Sequence, residues 1–271
     1  MIVNWNITDE LKEYKNADII FLSIGKSGRT WLRVMINKYL SLHYNLPFGL
    51  NDFSMLNSDI PSISYSHEAW MHFSEATWLQ RAAGKYIIPD KILSKKRIIL
   101  HARDPRDVVV SLYYHKTKRA RKRVQCSMNE FIKHRKFGIN NIIFVMNLWH
   151  RRLKNHPACL LTHYEDFKRN PLSELIRLME FIGIKNIDIQ KIEEAVTFGD
   201  FTNMKRMEAQ GEFGVSILRP VDVSDPDSFK VRKGEVGGYK QYFQEADLKY
   251  LDNALNRLDD YYMYKDKDNK S

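Results

Sequence analysis

Short apolar runs alternate with stretches of helical periodicity along most of the chain. Residues 18–24 (DIIFLSI) are almost continuously apolar and stop at Gly25, which predicts a short buried strand. Residues 30–43 (TWLRVMINKYLSLH) place Leu32, Met35, Ile36, Tyr39 and Leu40 at helical spacing, so a helix follows after a short polar loop. The alternating run 62–66 (SISYS) predicts a second strand, 96–102 (KRIILHA) a third and 158–162 (ACLLT) a fourth. After the third strand, Asp104 is placed to cap a helix whose first residue is Pro105 and third is Asp107, running on through DVVVSLYYHKTK. Asn170, Pro171 and the run LSELIRLMEFIG repeat that start and end at Gly183.

Strands alternating with helices predict an α/β fold, a parallel sheet flanked by helices on both faces. In such sheets ligands bind outside the carboxyl ends of the strands, so the polar residues that follow each strand are the candidates for chemistry. A length of 271 residues, 44% apolar and 28% charged, fits one soluble domain over 1–271, with 265–271 a solvated, flexible tail. No stretch approaches the roughly 20 consecutive apolar residues of a membrane helix, and no signal peptide is expected at the N-terminus. Two cysteines, Cys126 and Cys159, cannot build a disulfide framework or a cysteine-rich zinc site, which points to the cytoplasm. The net charge of +10 changes the picture more, because it calls for a polyanionic ligand.

Three loops offer sites for one. Gly25-Lys26-Ser27-Gly28-Arg29-Thr30-Trp31 joins the first strand to its helix. Small residues let backbone N–H groups approach an anion, the helix N-terminus adds partial positive charge, and Lys26 and Arg29 add full charges. A Walker A loop needs different spacing, G-x-x-x-x-G-K-[ST], so this is P-loop-like only; an ordinary turn with solvated basic residues is the other reading. Arg103 falls at the end of the third strand, with Ser111 about two turns into the next helix, a pairing suited to a phosphate monoester; a capped helix with a surface arginine is the other reading. Arg232-Lys233-Gly234 ends a long aperiodic stretch from about residue 208 to 231; it reads either as a solvated basic turn or as a basic pair beside a flexible glycine that could close over an anion.

In order, G-K-S-G-x-T-W, R-D-P-R-D-V-x-V-S, T-x-Y-E-D-F and R-K-G resemble the sulfotransferases that use 3′-phosphoadenosine 5′-phosphosulfate (PAPS), and the S-H-E wording resembles bacterial members of the cytosolic type. The resemblance spans residues 18 to 245. It implies the sulfotransferase fold and transfer of sulfonate from PAPS to an acceptor hydroxyl. Lys26 would contact the bridging and sulfonate oxygens, with Ser27, Gly28, Arg29 and Thr30 holding the 5′-phosphosulfate. Trp31, Tyr164 and Phe201 would contact the adenine. Arg103, Ser111, Arg232, Lys233 and Gly234 would bind the 3′-phosphate. His67 would be the base, with His72 its rival among nine histidines. No metal is implied. The product would be 3′,5′-adenosine bisphosphate (PAP).

The chain departs from the family pattern in places. Tyr65 stands where a lysine often precedes the histidine, Arg29 replaces a smaller residue, Gly199 stands where a cofactor-contacting threonine is common, and Gly-Gly-Tyr-Lys replaces Gly-Asp-Trp-Lys. The acceptor is expected to be a saccharide or a small alcohol or phenol. Trp70, Phe73 and Trp78 either line its pocket or belong to the core. The basic run 116–123 (KTKRARKR) is either an acidic-acceptor docking surface or a solvated helix end. A nucleotide kinase would need a Walker loop and a magnesium carboxylate. A nucleic-acid binder would rest on charge alone, and neither nucleic acid nor a membrane is an expected partner.

Overall fold

The computed structural model describes residues 7–213 and 218–265; residues 266–271 of the expected tail lie outside that range. Four strands, β1 (Ile19–Ser23), β2 (Ile63–Ser66), β3 (Arg97–Ala102) and β4 (Cys159–His163), form one parallel sheet in the order β2-β1-β3-β4. The register pairs Phe21 with Tyr65 and Ile99, Ser23 with His101, and Ala102 with His163. All four expected strands are present, each within a residue or two of its predicted bounds.

The strand side chains alternate between two cores. Ile20, Leu22, Ile98 and Leu100 face one cluster with Val109, Ile142, Trp149 and Leu251; Ile19, Phe21 and Ile99 face another with Leu32, Met35, Leu178 and Ile192. Both faces are therefore covered, which is why the strands read as apolar runs. The helices are α1 (Ile7–Asn16), α2 (Arg29–His43), α3 (Glu68–Ser74), α4 (Pro105–Tyr114), α5 (Ile139–Leu153), α6 (Tyr164–Arg169), α7 (Pro171–Ile182), α8 (Ile189–Phe198), α9 (Phe201–Gln210) and α10 (Glu245–Leu255), with shorter helical turns between them.

The sequence punctuation works as expected. Asp104 accepts from the Arg106 N–H at 2.9 Å to cap α4, and Gly183 closes α7 with φ +92°. Helix α4 does not run on as a regular helix through residue 118. It passes into a π-turn at His115–Arg119, a device found often at functional sites. Trp70 lies in the core and Phe73 packs against it, whereas Trp78 is exposed.

The strand order sets the location of the site. β1 connects outward to β2, and β3 connects the other way to β4, so the connections diverge between the carboxyl ends of β1 and β3. An open parallel sheet binds its ligand at such a switch point. Loop 24–28 and Arg103 flank it.

Candidate active site

The loop after β1 is shaped by backbone conformations that few residues adopt. Lys26 has φ +76° and Gly28 φ +97°. A side chain at Gly28 would place its Cβ 2.6 Å from the Tyr164 ring, so only glycine fits there. Gly28 caps α2 without a side-chain acceptor, leaving the first-turn N–H groups of Arg29 and Thr30 without a partner among the described residues. That is the local arrangement of an anion cradle. The loop is braced from behind by His101 of β3. Its Nε2–H donates to the Ser27 carbonyl at 2.8 Å while Nδ1 accepts from Thr162 Oγ1 at 2.9 Å, and burial pushes its pKa down to about 3. His101 is thus a neutral strut.

Lys26 is half-buried in this loop. Desolvation, then the nearby charges of Lys230 and Arg119, lower its pKa to about 7. Arg103 reaches back to the Lys26 carbonyl at 3.3 Å and to the Glu235 carbonyl at 2.9 Å, and lies over the Tyr164 ring at 4.2 Å. Its Nε is buried with no hydrogen-bond partner. Ser111 is half-buried on α4.

The third anion motif is close by. Gly234 has φ +67°, and a Cβ there would meet the Phe201 ring at 2.8 Å, with the Tyr164 hydroxyl at 3.7 Å. Trp31 meets Tyr164 edge-on at 5.5 Å and donates to the Gly199 carbonyl at 2.6 Å. A side chain at Gly199 would strike Met35 at 2.4 Å, which explains why no threonine stands there. Arg232 lies over Tyr114 at 4.0 Å and donates to the Tyr242 hydroxyl at 2.7 Å; Lys233 is exposed. The fold thus gathers Gly28, Trp31, Arg103, Tyr164, Phe201 and Gly234 around one crevice, although they come from distant parts of the chain.

His67 follows β2 at the edge of this crevice. Its Nδ1–H donates to the Ser23 carbonyl at 2.5 Å, which fixes the tautomer and leaves Nε2 as an acceptor. Burial, then the charge of Arg29, holds its pKa well below the usual value, so the ring is neutral at pH 7. The rival, His72, is buried in α3 and donates through Nδ1 to the Lys85 carbonyl at 2.7 Å, a structural arrangement away from the loop.

Several residues near the site carry no functional expectation from the sequence. Glu208 of α9 is fully buried. Its carboxylate accepts from Arg119 at 3.0 Å and from the backbone N–H groups of Lys230 and Val231 at 2.6 and 2.8 Å. Asp107 accepts from the N–H groups of Gly237 and Tyr239 at 2.8 and 3.0 Å and faces Arg103 at 3.9 Å. His115, one turn beyond Ser111, is pushed down to about pKa 3 by burial and by Lys26. One cue was present: an acid in the last turn of a helix opposes the helix dipole, so Glu208 needs a tertiary reason to be there. The basic run is partly structural, since Lys116 pairs with Glu75, Lys118 with Asp225 and Arg119 with Glu208.

The family model described as "Sulfotransferase domain" matches residues 16–262. The chain belongs to the sulfotransferase family. It is thereby one of the enzymes that draw sulfonate from PAPS. Cytosolic sulfotransferase 12 of Arabidopsis thaliana is 22% identical over 90% of this chain and 77% of its own length. Sulfotransferase 1B1 of Mus musculus is 25% identical over 94% and 86%. Among solved structures, a mouse sulfotransferase complexed with PAP superposes with a TM-score of 0.63 at 19% identity, covering 93% of this chain and 91% of that one. This likeness supports the shared fold. Among the described residues of this sulfotransferase, no helix is long and apolar enough to cross a membrane. No group of three or more His, Cys, Asp or Glu that could hold a metal occurs among them either.

Proposed function

We propose that this sulfotransferase moves sulfonate from PAPS to the hydroxyl of a small molecule or saccharide by in-line displacement, with His67 as the base. The observation that carries the reading is the fixed tautomer of His67. Its Nδ1–H is committed to Ser23, at the end of the strand that leads into the cradle, so a neutral Nε2 is available within reach of the charge of Arg29. The acceptor oxygen forms a bond to sulfur as His67 Nε2 takes its proton. The bond from sulfur to the bridging oxygen breaks, and its electron pair stays on the departing PAP. Lys26 and the N–H groups of Gly28, Arg29 and Thr30 meet the charge that builds on that oxygen. Arg103, Ser111, Arg232 and Lys233 hold the 3′-phosphate, with Trp31, Tyr164 and Phe201 around the adenine.

A hydroxyl acceptor is supported by relatives named flavonol 4'-sulfotransferase and 3-beta-hydroxysteroid sulfotransferase. A cytoplasmic location is supported by relatives named cytosolic and by two cysteines that are both free. The test is calorimetric titration with PAP in the absence of metal, with ATP plus magnesium as the control. Binding of PAP at micromolar or lower concentration is expected, with ATP much weaker; no PAP binding overturns the donor assignment. His67→Ala is expected to cut turnover by about 10²–10⁴-fold while PAP still binds. Near-normal turnover in that variant would remove His67 as the base.

A further inference from the structure

The sheet divides the crevice by substrate. Loop 24–28, Arg103 and Tyr164 follow β1, β3 and β4, and they form the side on which the cofactor reading places PAPS. β2 carries Tyr65 and leads into His67 on the opposite side, where an acceptor must approach. That side should be apolar if the acceptor were a simple phenol or alcohol. Instead it holds an unneutralised cluster of cations.

Arg29 and Arg33 lie one turn apart on α2. Arg33 sits over the Tyr65 ring at 4.6 Å, and one arm donates to the Leu50 carbonyl. Three buried polar atoms in this group have no hydrogen-bond partner: Arg29 Nη1, Arg33 Nε and the Tyr65 hydroxyl. Buried donors are rarely left unpaired without reason, because each forfeits its hydrogen bonds to water without a replacement. Lys230, whose backbone N–H is held by Glu208, is near enough for its charge to act on Lys26, Arg29 and His67. Burial, then Arg29 and Arg119, lowers the Lys230 pKa to about 8, and burial with Arg33 lowers that of Arg29 to about 10. The carboxylates in reach are already committed. Glu208 holds Arg119 and two backbone N–H groups, and Asp52 accepts from the Ser54 N–H and from Ser62 Oγ at 2.7 Å. The phosphosulfate would neutralise Lys26 and one further cation, which leaves positive charge over on the β2 side.

Resting on the PAPS reading above, we propose that the acceptor bears an anionic group besides its hydroxyl, and that Arg29, Arg33, Tyr65 and Lys230 bind it on the β2 side of His67. The chemistry required is that of a carboxylate, sulfate or phosphate ester, which accepts several charge-assisted hydrogen bonds from guanidinium groups. Arg29 then serves both substrates: its backbone N–H stays in the phosphosulfate cradle, and its guanidinium faces the acceptor.

The experiment compares 4-hydroxybenzoate with its methyl ester, which replaces the charge with one methyl group, by calorimetry on PAP-saturated protein. The carboxylate is expected to bind at least about tenfold more tightly. Arg33→Gln, with PAP binding retained as the check of folding, is expected to abolish that difference. Tyr65→Phe, which keeps the ring under Arg33, is expected to weaken the carboxylate several-fold and leave the ester unchanged. Equal binding of the two probes, tighter binding of the ester, or no detectable carboxylate binding would overturn the proposal while leaving the donor assignment standing. Failure of PAP itself to bind would remove both.

Discussion

Lys26 combines a left-handed backbone with a desolvated ammonium, and both features cost stability. A non-glycine residue at φ +76° costs about 1–2 kcal/mol. Burial and neighbouring cations lower the lysine pKa from 10.5 to about 7. Such a lysine is largely uncharged at pH 8 in the empty site and charged when a phosphate dianion lies against it. Binding therefore takes up protons. Lys230, lowered to about 8, adds to the effect. At pH 8, PAP binding is expected to take up about one proton, measured from the dependence of the calorimetric heat on buffer ionisation enthalpy. Lys26→Met is expected to remove most of that uptake; an unchanged value in the variant would show that the proton goes elsewhere. His67 behaves in the opposite sense. Its lowered pKa keeps it neutral as pH falls through 6.5, so turnover should not follow an ordinary histidine titration on the acid side.

At the scale of elements, the R-K-G segment is set in place by helices rather than by its own turn. Glu208 of α9 holds the N–H groups of Lys230 and Val231, and Asp107 of α4 holds those of Gly237 and Tyr239, so the segment is clamped at both ends. Glu208→Gln keeps the volume but leaves Arg119 without its counter-ion. It is expected to weaken PAP binding by about tenfold, or about 1.4 kcal/mol, and to speed amide exchange at 230–234 more than in the middle of α4. Equal exchange in both segments would assign Glu208 to general stability instead. These clamps also mark where sequence reading stops. The strands were legible because both faces are buried and each run is apolar. The starts of α4 and α7 were legible because a cap, a proline and a closing glycine act within a few residues. Helices α5 and α10 start without a side-chain cap, and α8, capped by Asp188 and followed by Gly199, lacks the proline, so none of the three stands out in the sequence. The Glu208–Arg119 pair spans 89 positions, and nothing local in either partner announces the other. The positions of the 25–31 loop and of Arg103 were legible, because both follow strands whose ends the sequence marks.

For the whole molecule, the site is a store of electrostatic cost that a ligand relieves. Lys26 and Lys230 bind fewer protons in the folded protein than in the unfolded chain between their lowered pKa values and 10.5, so folding is penalised as pH falls from 10.5 toward 7. His67, His101 and His115 continue the trend below 6.5, where the unfolded chain takes up protons that the folded protein refuses. Both sets act in the same direction, so the ligand-free protein is expected to lose thermal stability steadily as pH drops from about 8.5 to 5.5. The acids at the site do not reverse this. Glu165 and Asp107, raised by burial, regain some stability only as pH approaches the carboxylate range. PAP at about a hundred times its dissociation constant should contribute about 2.7 kcal/mol, an increase in Tm of roughly 5–10 °C for a chain of this size. PAP also recharges the lysines, so the fall in Tm between pH 8.5 and 7 should be shallower in the complex than in the free protein. Thermal denaturation followed across that pH range, with and without PAP, separates this from simple ligand stabilisation, which would lift both curves without changing their slope. Parallel curves would mean that the lysines do not change protonation on binding, and the desolvated-lysine account of the cradle would fall.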